Sequence, residues 1–102
     1  MSINMVHKNQ QGYDLNKPKD RLEVELLRRA QTGDKDALNQ FAENNQGLVY
    51  STLIGFFGYA RRAGLSRDDV IGYGNIGLVK AIQKFDFSMG TRFTTYASLW
   101  IK

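Results

Sequence analysis

Apolar residues recur at helical spacing along most of the chain, after a polar and aperiodic stretch at residues 1–15. Side chains three and four positions apart share one face of an α-helix, so the first such stripe predicts an amphipathic helix. The members of this stripe are Leu22, Leu26, Leu27 and Ala30. Pro18 is suited to the first turn of this helix, where its missing N–H costs nothing, and Gly33 is suited to its end.

A second stripe predicts a helix that begins after Asp34 and ends at Asn44 and Asn45. A short acidic side chain such as that of Asp34 accepts hydrogen bonds from the free N–H groups of a first helical turn, which makes it a preferred cap. The apolar members of this stripe are Ala37, Leu38, Phe41 and Ala42.

A third stripe predicts a helix from about Gln46 to Gly64, a glycine suited to the position after a helix end. The apolar members of this stripe are Val49, Leu53, Phe56, Phe57 and Ala60. Gly55 and Gly58 interrupt the pattern, and each lowers helix stability by about 1 kcal/mol relative to alanine. We interpret them as the mark of a bend or of a close contact with another helix.

The fourth predicted helix, residues 66–85, has the clearest start signal in the chain. Ser66 is a preferred cap, and Asp69 stands where the acid of a capping box would lie. Leu65 and Val70 are spaced to pack across the cap as a hydrophobic staple. The core stripe of this helix is Val70, Ile71, Leu78, Ala81, Ile82 and Phe85.

The stretch DFSMGT that follows, residues 86–91, reads as a loop, and Thr94 or Thr95 starts a fifth helix. Alternation with a period of two never persists, and no hairpin turn separates two strand-like runs. We therefore predict an all-α fold, a small bundle of four to five helices that forms one domain over residues 16–102. Residues 1–15 are predicted to form a disordered leader.

Composition excludes several classes of function. The 102 residues are enough for one domain, and no apolar run approaches the roughly 18 residues that span a bilayer. The chain has no cysteine, which excludes disulfides, thiolate metal sites and cysteine nucleophiles, and its single histidine, His7, lies in the polar leader. We expect a cytoplasmic protein that is not an enzyme and needs neither a metal nor another cofactor.

Positive charge is concentrated in the second half of the chain. Residues 1–60 carry seven basic and seven acidic side chains, whereas residues 61–102 carry seven basic and three acidic ones, which accounts for the net charge of +4. Such an asymmetry favours a polyanionic partner, although a charge of this size also serves solubility alone.

The fourth helix carries a second face opposite its core stripe. The members of this face are Asp69, Gly72, Tyr73, Ile76, Val79, Lys80 and Gln83, with Asn75 near its edge. Gly74 and Gly77 lie nearby, and glycines allow another backbone to approach closely. A face of small, apolar and polar groups suits docking of a partner helix, and the alternative is a helix that is buried on both sides inside the bundle.

The closing segment GTRFTTYASLWI, residues 90–101, is rich in aromatic and large apolar side chains. Phe93, Tyr96, Ala97 and Trp100 recur at i, i+3, i+4 and i+7, which is the pattern of a core stripe. The same rings exposed beside cations would form a stacking platform for the bases of a single strand. The spacing alone leaves both interpretations open.

A longer pattern resembles a known family. The stretch LSRDDVIGYGNIGLVKAIQKFDFSMGTRFTTYASLWIK, residues 65–102, resembles region 2 of bacterial RNA polymerase sigma factors, whose signature pairs GNIGL.KA..KFD with G.RF.TYA..WI. The upstream stretch VELLRRAQTGDKDALNQFAENNQGLVYS, residues 24–51, resembles the helices that precede this signature in the same family. The two stretches together cover most of residues 20–102, and the family has a small helical fold in this region.

The resemblance implies a role in transcription initiation. In the family, one face of the helix at residues 66–85 docks on a coiled-coil of the beta-prime subunit of core RNA polymerase. Five residues of this helix match polymerase-binding positions of the family, and Ile76 lies on the same face of the helix. The residues implied in polymerase binding are therefore Asp69, Gly72, Tyr73, Asn75, Ile76 and Val79.

The resemblance also implies that the closing segment melts promoter DNA and binds the −10 element of the non-template strand. Tyr96 matches the position of an aromatic ring that stacks on a flipped adenine, and Thr95 and Trp100 match neighbouring single-strand and fork-junction positions. Phe93 is assigned mainly to packing. The residues implied in DNA binding are Lys80, Lys84, Arg92, Thr95, Tyr96, Leu99, Trp100 and Lys102, the four cations through backbone phosphates.

Three features depart from the family pattern. Leu99 replaces the first of two adjacent tryptophans, and leucine stacks on bases poorly, so we expect weaker promoter opening. Gly72 and Tyr73 replace a polar pair on the docking face, so we expect altered polymerase docking. Residues 51–64 span about one helical turn more than the usual spacing before the aspartate.

In the family, the last helix continues past the position of Lys102, and a separate domain reads the −35 element. The sequence leaves open a chain trimmed at region 2, half of a split sigma factor with the remainder on a second chain, and a natural truncation; an anti-sigma factor is a further implied partner. The competing function is an interaction module that binds polymerase or a regulator without touching DNA.

Overall fold

The computed structural model describes residues 12–101, and these residues form helices joined by short connections, without any strand among them. In chain order the elements are α1 (Pro18–Gln31), α2 (Lys35–Asn44), α3 (Gln46–Leu53), a 3₁₀ turn at Ile54–Phe56, α4 (Phe57–Arg62), α5 (Arg67–Lys84), a second 3₁₀ turn at Phe87–Met89, and α6 (Phe93–Ile101). The predicted all-α fold is confirmed. No helix within residues 12–101 is both long enough and apolar enough to cross a membrane.

The predicted start and stop signals act as expected. The Asp34 side chain accepts a hydrogen bond of 3.0 Å from the Ala37 N–H and caps α2. Ser66 and Asp69 form a reciprocal capping box at the start of α5. Gly33 and Gly64 follow α1 and α4 with φ angles of +104° and +89°, in the left-handed region that favours glycine.

The third predicted helix is interrupted by the first 3₁₀ turn and therefore forms α3 and α4. Gly55 lies within this turn, and a side chain built on it would meet nothing within 4 Å, so the glycine marks a bend rather than a close contact. Because a 3₁₀ turn has about three residues per turn instead of 3.6, it rotates the residues around it relative to a continuous helix. Phe57 is buried as expected, whereas Phe56 is exposed and does not belong to the core stripe.

The buried face of α1 also differs from the prediction. Leu22 is 67% exposed, whereas Val24, Leu27 and Ala30 are buried. Asp20 is buried on the same side, because it is paired with Arg92 near the start of α6. The stripe that faces the core is therefore rotated away from Leu22.

Helix α5 occupies the centre of the bundle and contacts each of the other five helices described in residues 12–101. Its predicted core stripe is confirmed at the buried residues Val70, Leu78, Ala81, Ile82 and Phe85, and Ile71 is partly buried. The fully buried rings of Phe41 on α2 and Phe93 on α6 meet edge to face, with their centroids 4.9 Å apart. Helices α2 and α6, which are far apart in the sequence, thus share one core.

Residues 12–15 also differ from the expectation of a disordered leader. The Tyr13 side chain is only 5% exposed and belongs to the core cluster, and Leu15 packs against the same cluster. The remainder of the predicted leader, residues 1–11, lies outside the described residues.

Candidate functional site

The face of α5 opposite its core stripe is exposed over most of its length. Tyr73 is 66% exposed, Ile76 is also exposed, and Val79 is partly buried. Asp69 and Gly72 are exposed on the same face, although the Asp69 carboxylate accepts a hydrogen bond of 3.0 Å from the Ser66 N–H in the capping box. The alternative of a helix buried on both sides is therefore wrong. An exposed apolar strip on a rigid central helix offers a surface for another protein.

Two of the nearby glycines face the interior of the protein instead of a partner. A side chain on Gly74 would meet Leu53 and Val49 of α3, and one on Gly77 would overlap the carbonyl group of Trp100 on α6. The close approach that these glycines allow is therefore used by helices of the same chain. Only Gly72 lies on the exposed face.

Asn75 lies at the edge of the exposed face and is partly buried. Its Oδ1 atom accepts a hydrogen bond of 2.6 Å from Gln46 Nε2, and Gln46 also donates to the Ala42 carbonyl oxygen at 3.1 Å. This side chain joins α5 to the start of α3. It lies at the margin of the exposed face, where it shapes the surface rather than projecting from it.

Helix α6 separates its predicted residues into a buried and an exposed side. Phe93 and Ala97 are completely buried, as the core stripe predicts, and Ile101 joins them. Leu99 is 73% exposed, and Thr95 is exposed one turn before it. Tyr96 and Trp100 are partly buried and lie between the two sides.

The Tyr96 ring lies against the core but remains accessible from outside. Its centroid lies 5.5 Å from that of Phe85 and 6.2 Å from that of Trp100, at tilted or edge-to-face angles. The Tyr96 hydroxyl reaches the Lys84 carbonyl oxygen at 3.5 Å, a long hydrogen bond. The ring is thus held from behind and at its tip, an arrangement that fixes its orientation and leaves part of its surface free.

Lys80 and Lys84 are exposed on α5, and the Lys84 carbonyl oxygen is the partner of the Tyr96 hydroxyl. The two lysines follow Gly77, which faces α6, by three and seven positions, and such positions lie on the same side of a helix. Both lysines therefore lie toward the α6 side of α5. Lys102, the fourth predicted cation, lies outside the described residues.

Arg92 has a different environment from the one expected of a phosphate-binding residue. Its Nη2 atom lies 3.0 Å from Asp20 Oδ1 and 3.6 Å from Glu23 Oε1, and its Nη1 atom donates to the Gly12 carbonyl oxygen at 2.5 Å. The guanidinium group also lies over the Tyr13 ring, 4.5 Å from its centroid. Because its donors are directed to partners within the chain, Arg92 connects the start of α6 to α1 rather than presenting a free charge.

The Arg92 cluster also alters the protonation behaviour of its members. Hydrogen bonds from Arg92 and from the Asp14 N–H hold the pKa of the Asp20 carboxyl below its ordinary value. Burial, followed by the hydrogen bond to Glu23, raises the pKa of the Tyr13 hydroxyl above its ordinary value. Asp20 is therefore a stable anion beside Arg92, and Tyr13 remains a neutral hydroxyl at physiological pH.

Sequence reasoning missed two features. Tyr13 contacts the first turn of α6, and the only signal in the sequence was one aromatic residue after a glycine in a polar stretch. The second feature is an exposed patch formed by the first 3₁₀ turn and α4, where the rings of Phe56 and Tyr59 stack with centroids 5.2 Å apart. Arg61 and Arg62 are exposed on the same helix.

Residues that could hold a metal ion do not come together in the part of the chain that the structure describes, where no group of three acidic or histidine side chains forms a site. The described surface offers stacking, apolar contact and positive charge. These are the means by which a protein binds another macromolecule.

Comparison with known proteins identifies relatives of this chain. The family model for sigma-70 region 2 matches residues 41–102. The chain is 41% identical over 80 residues to RNA polymerase sigma factor SigA of Clostridium acetobutylicum, and 42% identical over 80 residues to RNA polymerase sigma factor SigA of a Bacillus species. Each alignment covers 78% of this chain and 20% of the relative, so the chain spans about a fifth of the length of these curated relatives.

Proposed function

The chain belongs to the sigma-70 region 2 family of RNA polymerase sigma factors, and we propose that it acts in transcription initiation. In this proposal the exposed face of α5 docks on the beta-prime coiled-coil of core RNA polymerase, and the exposed side of α6 binds and melts the −10 element. Membership of a family of initiation factors agrees with the prediction that the chain is not an enzyme.

The observation that carries the proposal is the position of two exposed surfaces on adjacent, tightly packed helices. Tyr73 and Ile76 on α5 present apolar area, and Thr95, Tyr96 and Leu99 on α6 are exposed or partly exposed, with Lys80 and Lys84 exposed on the neighbouring helix α5. Gly77 allows the backbones of α5 and α6 to approach closely, which holds the two surfaces in a constant relation. A factor that delivers polymerase to an opened strand needs both surfaces at once.

The partly exposed Tyr96 ring supports the proposal of strand capture. Stacking of a base on an aromatic side chain contributes about 1–3 kcal/mol, and extruding a base from a duplex costs a few kcal/mol. The two quantities are comparable, so stacking on Tyr96 alone is not sufficient. Phosphate contacts from Lys80 and Lys84 contribute the remainder and make binding dependent on salt.

Fluorescence anisotropy with a single-stranded −10 oligonucleotide tests strand capture. Tyr96→Ala removes the stacking surface, so we expect an affinity about 5- to 150-fold lower, and Tyr96→Phe, which keeps the ring, stays within about twofold of the unmodified chain. Tyr59→Ala, at an exposed tyrosine on α4, serves as the control and leaves the affinity unchanged. Equal affinities for Tyr96→Ala and the unmodified chain would refute capture by this ring.

A pull-down on the isolated beta-prime coiled-coil tests docking. Ile76→Glu places a charge on the exposed apolar strip without entering the core, so we expect docking to weaken at least tenfold while thermal unfolding is unchanged. Leu22→Glu, at an exposed leucine on α1, is the matched control. Docking that survives Ile76→Glu would exclude this strip of α5 as the polymerase contact.

A second candidate function is an interaction module that binds polymerase or a regulator without DNA. The exposed Phe56 and Tyr59 patch favours it, because exposed apolar patches often mark protein contacts. Absence of oligonucleotide binding at low salt, together with retained docking on the coiled-coil, would select this function over the first.

A further inference from the structure

Two residues that precede α1 contact the start of α6 from the opposite end of the sequence. We call Gly12 and Tyr13 the strap. The Tyr13 hydroxyl accepts a hydrogen bond of 2.9 Å from the Phe93 N–H, 80 residues later in the chain, and donates one of 2.5 Å to Glu23 Oε2 on α1. Phe93 is the first residue of α6, and N–H groups in a first turn have no partner within their own helix.

The second contact of the strap is made through Arg92, the residue just before α6. The Arg92 guanidinium donates to the Gly12 carbonyl oxygen, pairs with Asp20 and lies over the Tyr13 ring. Asp20 also accepts a hydrogen bond of 2.8 Å from the Asp14 N–H, which fixes the chain immediately after the strap. The start of α6 is therefore joined to α1 through the strap, by hydrogen bonds and by an ion pair.

The third contact of the strap is a close approach of its backbone to the backbone just before α6. A side chain on Gly12 would overlap the carbonyl group of Thr91 and the backbone nitrogen of Arg92, so only glycine permits this approach of the two backbones. Tyr13 continues the contact on the other side, where its ring lies 6.4 Å from that of Phe87. The strap thus also covers the connection between α5 and α6.

The contacts at the first turn of α6 matter because most of the stability of a helix in a protein comes from its packing against the remainder of the chain. Tyr96 lies one turn after Phe93, so a change in the first turn of α6 would move the Tyr96 ring. The family model begins at residue 41, and the strap lies outside the residues that it matches.

We infer that the strap holds α6 in the orientation that presents Tyr96 to an unpaired base, and that Tyr13 is a positioning residue for strand binding. The inference rests on the proposed function for its DNA readout. Its structural part, control of the first turn of α6 by the Tyr13 hydroxyl, can be measured without DNA.

The test compares Tyr13→Phe with the unmodified chain, and uses Tyr50→Phe as the matched control, because the exposed Tyr50 also has a hydroxyl that accepts a hydrogen bond, from Arg67 at 3.3 Å. Tyr13→Phe keeps the buried ring and removes only the hydroxyl. We expect amide hydrogen exchange at Phe93 to accelerate about tenfold or more, while exchange in α2 and α3 stays the same. We also expect about 5- to 10-fold weaker binding of the −10 oligonucleotide and unchanged docking on the beta-prime coiled-coil.

Gly12→Ala provides an independent variant that leaves the Tyr13 hydroxyl in place. Because the added methyl group would displace the strap from Thr91, we expect the same pattern of exchange and DNA binding. Agreement between the two variants would exclude an effect that is peculiar to the loss of one hydroxyl.

The outcomes separate the inference from the proposed function. Unchanged exchange at Phe93 in Tyr13→Phe would overturn the inference, and so would a uniform acceleration in all helices with equal losses of DNA and coiled-coil binding. If the unmodified chain binds no oligonucleotide, the proposed strand capture fails, and the exchange data still decide whether the strap holds α6.

Discussion

At the scale of single residues, the proposed function depends on side chains that pack against the core and remain partly accessible. Tyr96 illustrates this, because Phe85 supports its ring from behind while part of the ring remains accessible. Leu99 illustrates the opposite case, a large apolar side chain that is mostly exposed. In the proposed function, this exposure would allow Leu99 to contact a base pair at the edge of the melted DNA.

Lys84 allows a prediction about charge at this scale. Replacing it with glutamine removes one cation beside Tyr96, so we expect the plot of log affinity against log salt concentration to become shallower by about 0.7 if Lys84 contacts one phosphate of the single strand. The measurement is anisotropy with the −10 oligonucleotide over a range of salt concentrations. Arg61→Gln, on α4, is the control and keeps the original slope; an unchanged slope for Lys84→Gln would exclude the phosphate contact.

At the scale of elements, the contact between α5 and α6 connects the two proposed binding surfaces. Gly77 allows the approach because its position faces the Trp100 carbonyl group. The capping box of Ser66 and Asp69 defines where α5 begins, and Gln46 joins its middle to α3. The central helix is therefore positioned at its start, in its middle and along the α6 interface.

Two glycines on α5 form a matched pair for a prediction about this packing. Gly77→Ala inserts a methyl group against the α6 backbone, so we expect the free energy of unfolding to fall by about 1–3 kcal/mol. Gly72→Ala, at an exposed position with open space around it, should raise that free energy by about 0.5–1 kcal/mol, because alanine is the better helix former. Urea unfolding monitored by circular dichroism measures both, and a Gly77→Ala variant as stable as Gly72→Ala would contradict the packing described here.

At the scale of the whole molecule, the bundle is closed by interactions between distant parts of the sequence. Phe41 and Phe93 meet in the core, Gln31 on α1 donates to the Ile82 and Phe85 carbonyl oxygens near the end of α5, and Asp20 pairs with Arg92. The Asp20–Arg92 pair lies between α1 and α6, so its protonation affects the stability of the whole bundle.

Acid should therefore weaken the fold in part through Asp20. The folded-state pKa of this carboxyl lies below its ordinary value of 3.8, so the pair contributes stability above about pH 4 that is lost as the pH falls through the lower, folded-state pKa. We expect the free energy of unfolding, measured with urea at pH 7 and pH 3, to fall less between these pH values in Asp20→Asn than in the unmodified chain. Asp36→Asn, an exposed acid on α2, is the control, and equal losses for the unmodified chain and Asp20→Asn would exclude this role.

We expect the free energy of unfolding of Asp20→Asn still to fall between pH 7 and pH 3, although by less than in the unmodified chain. The pKa of Asp34 is also lowered, by the hydrogen bond from the Ala37 N–H and then by Arg29, and that of Asp86 is lowered by hydrogen bonds from Ser88. The folded chain stabilises the ionised form of both carboxyl groups, so their protonation contributes to the same loss of stability in acid.

Helix boundaries and the exposed face of α5 could be predicted from the sequence because their causes are local. Asp34, Ser66 and Gly64 act on groups within a few residues of themselves, and the spacing of Tyr73 and Ile76 places them opposite the core stripe. The resemblance to sigma factors used the same kind of information, an ordered pattern of residues at constant spacing.

Only the tertiary structure decided the roles of Tyr13, Asp20 and Arg92, since each role depends on a partner far away in the sequence. It also decided that Leu22 is exposed and that the room beside Gly77 is occupied by α6. Capping and helical periodicity are properties of neighbouring residues, and they are encoded where they act. Burial of a tyrosine and pairing of a charge depend on which helices meet, and no short stretch of sequence contains that information.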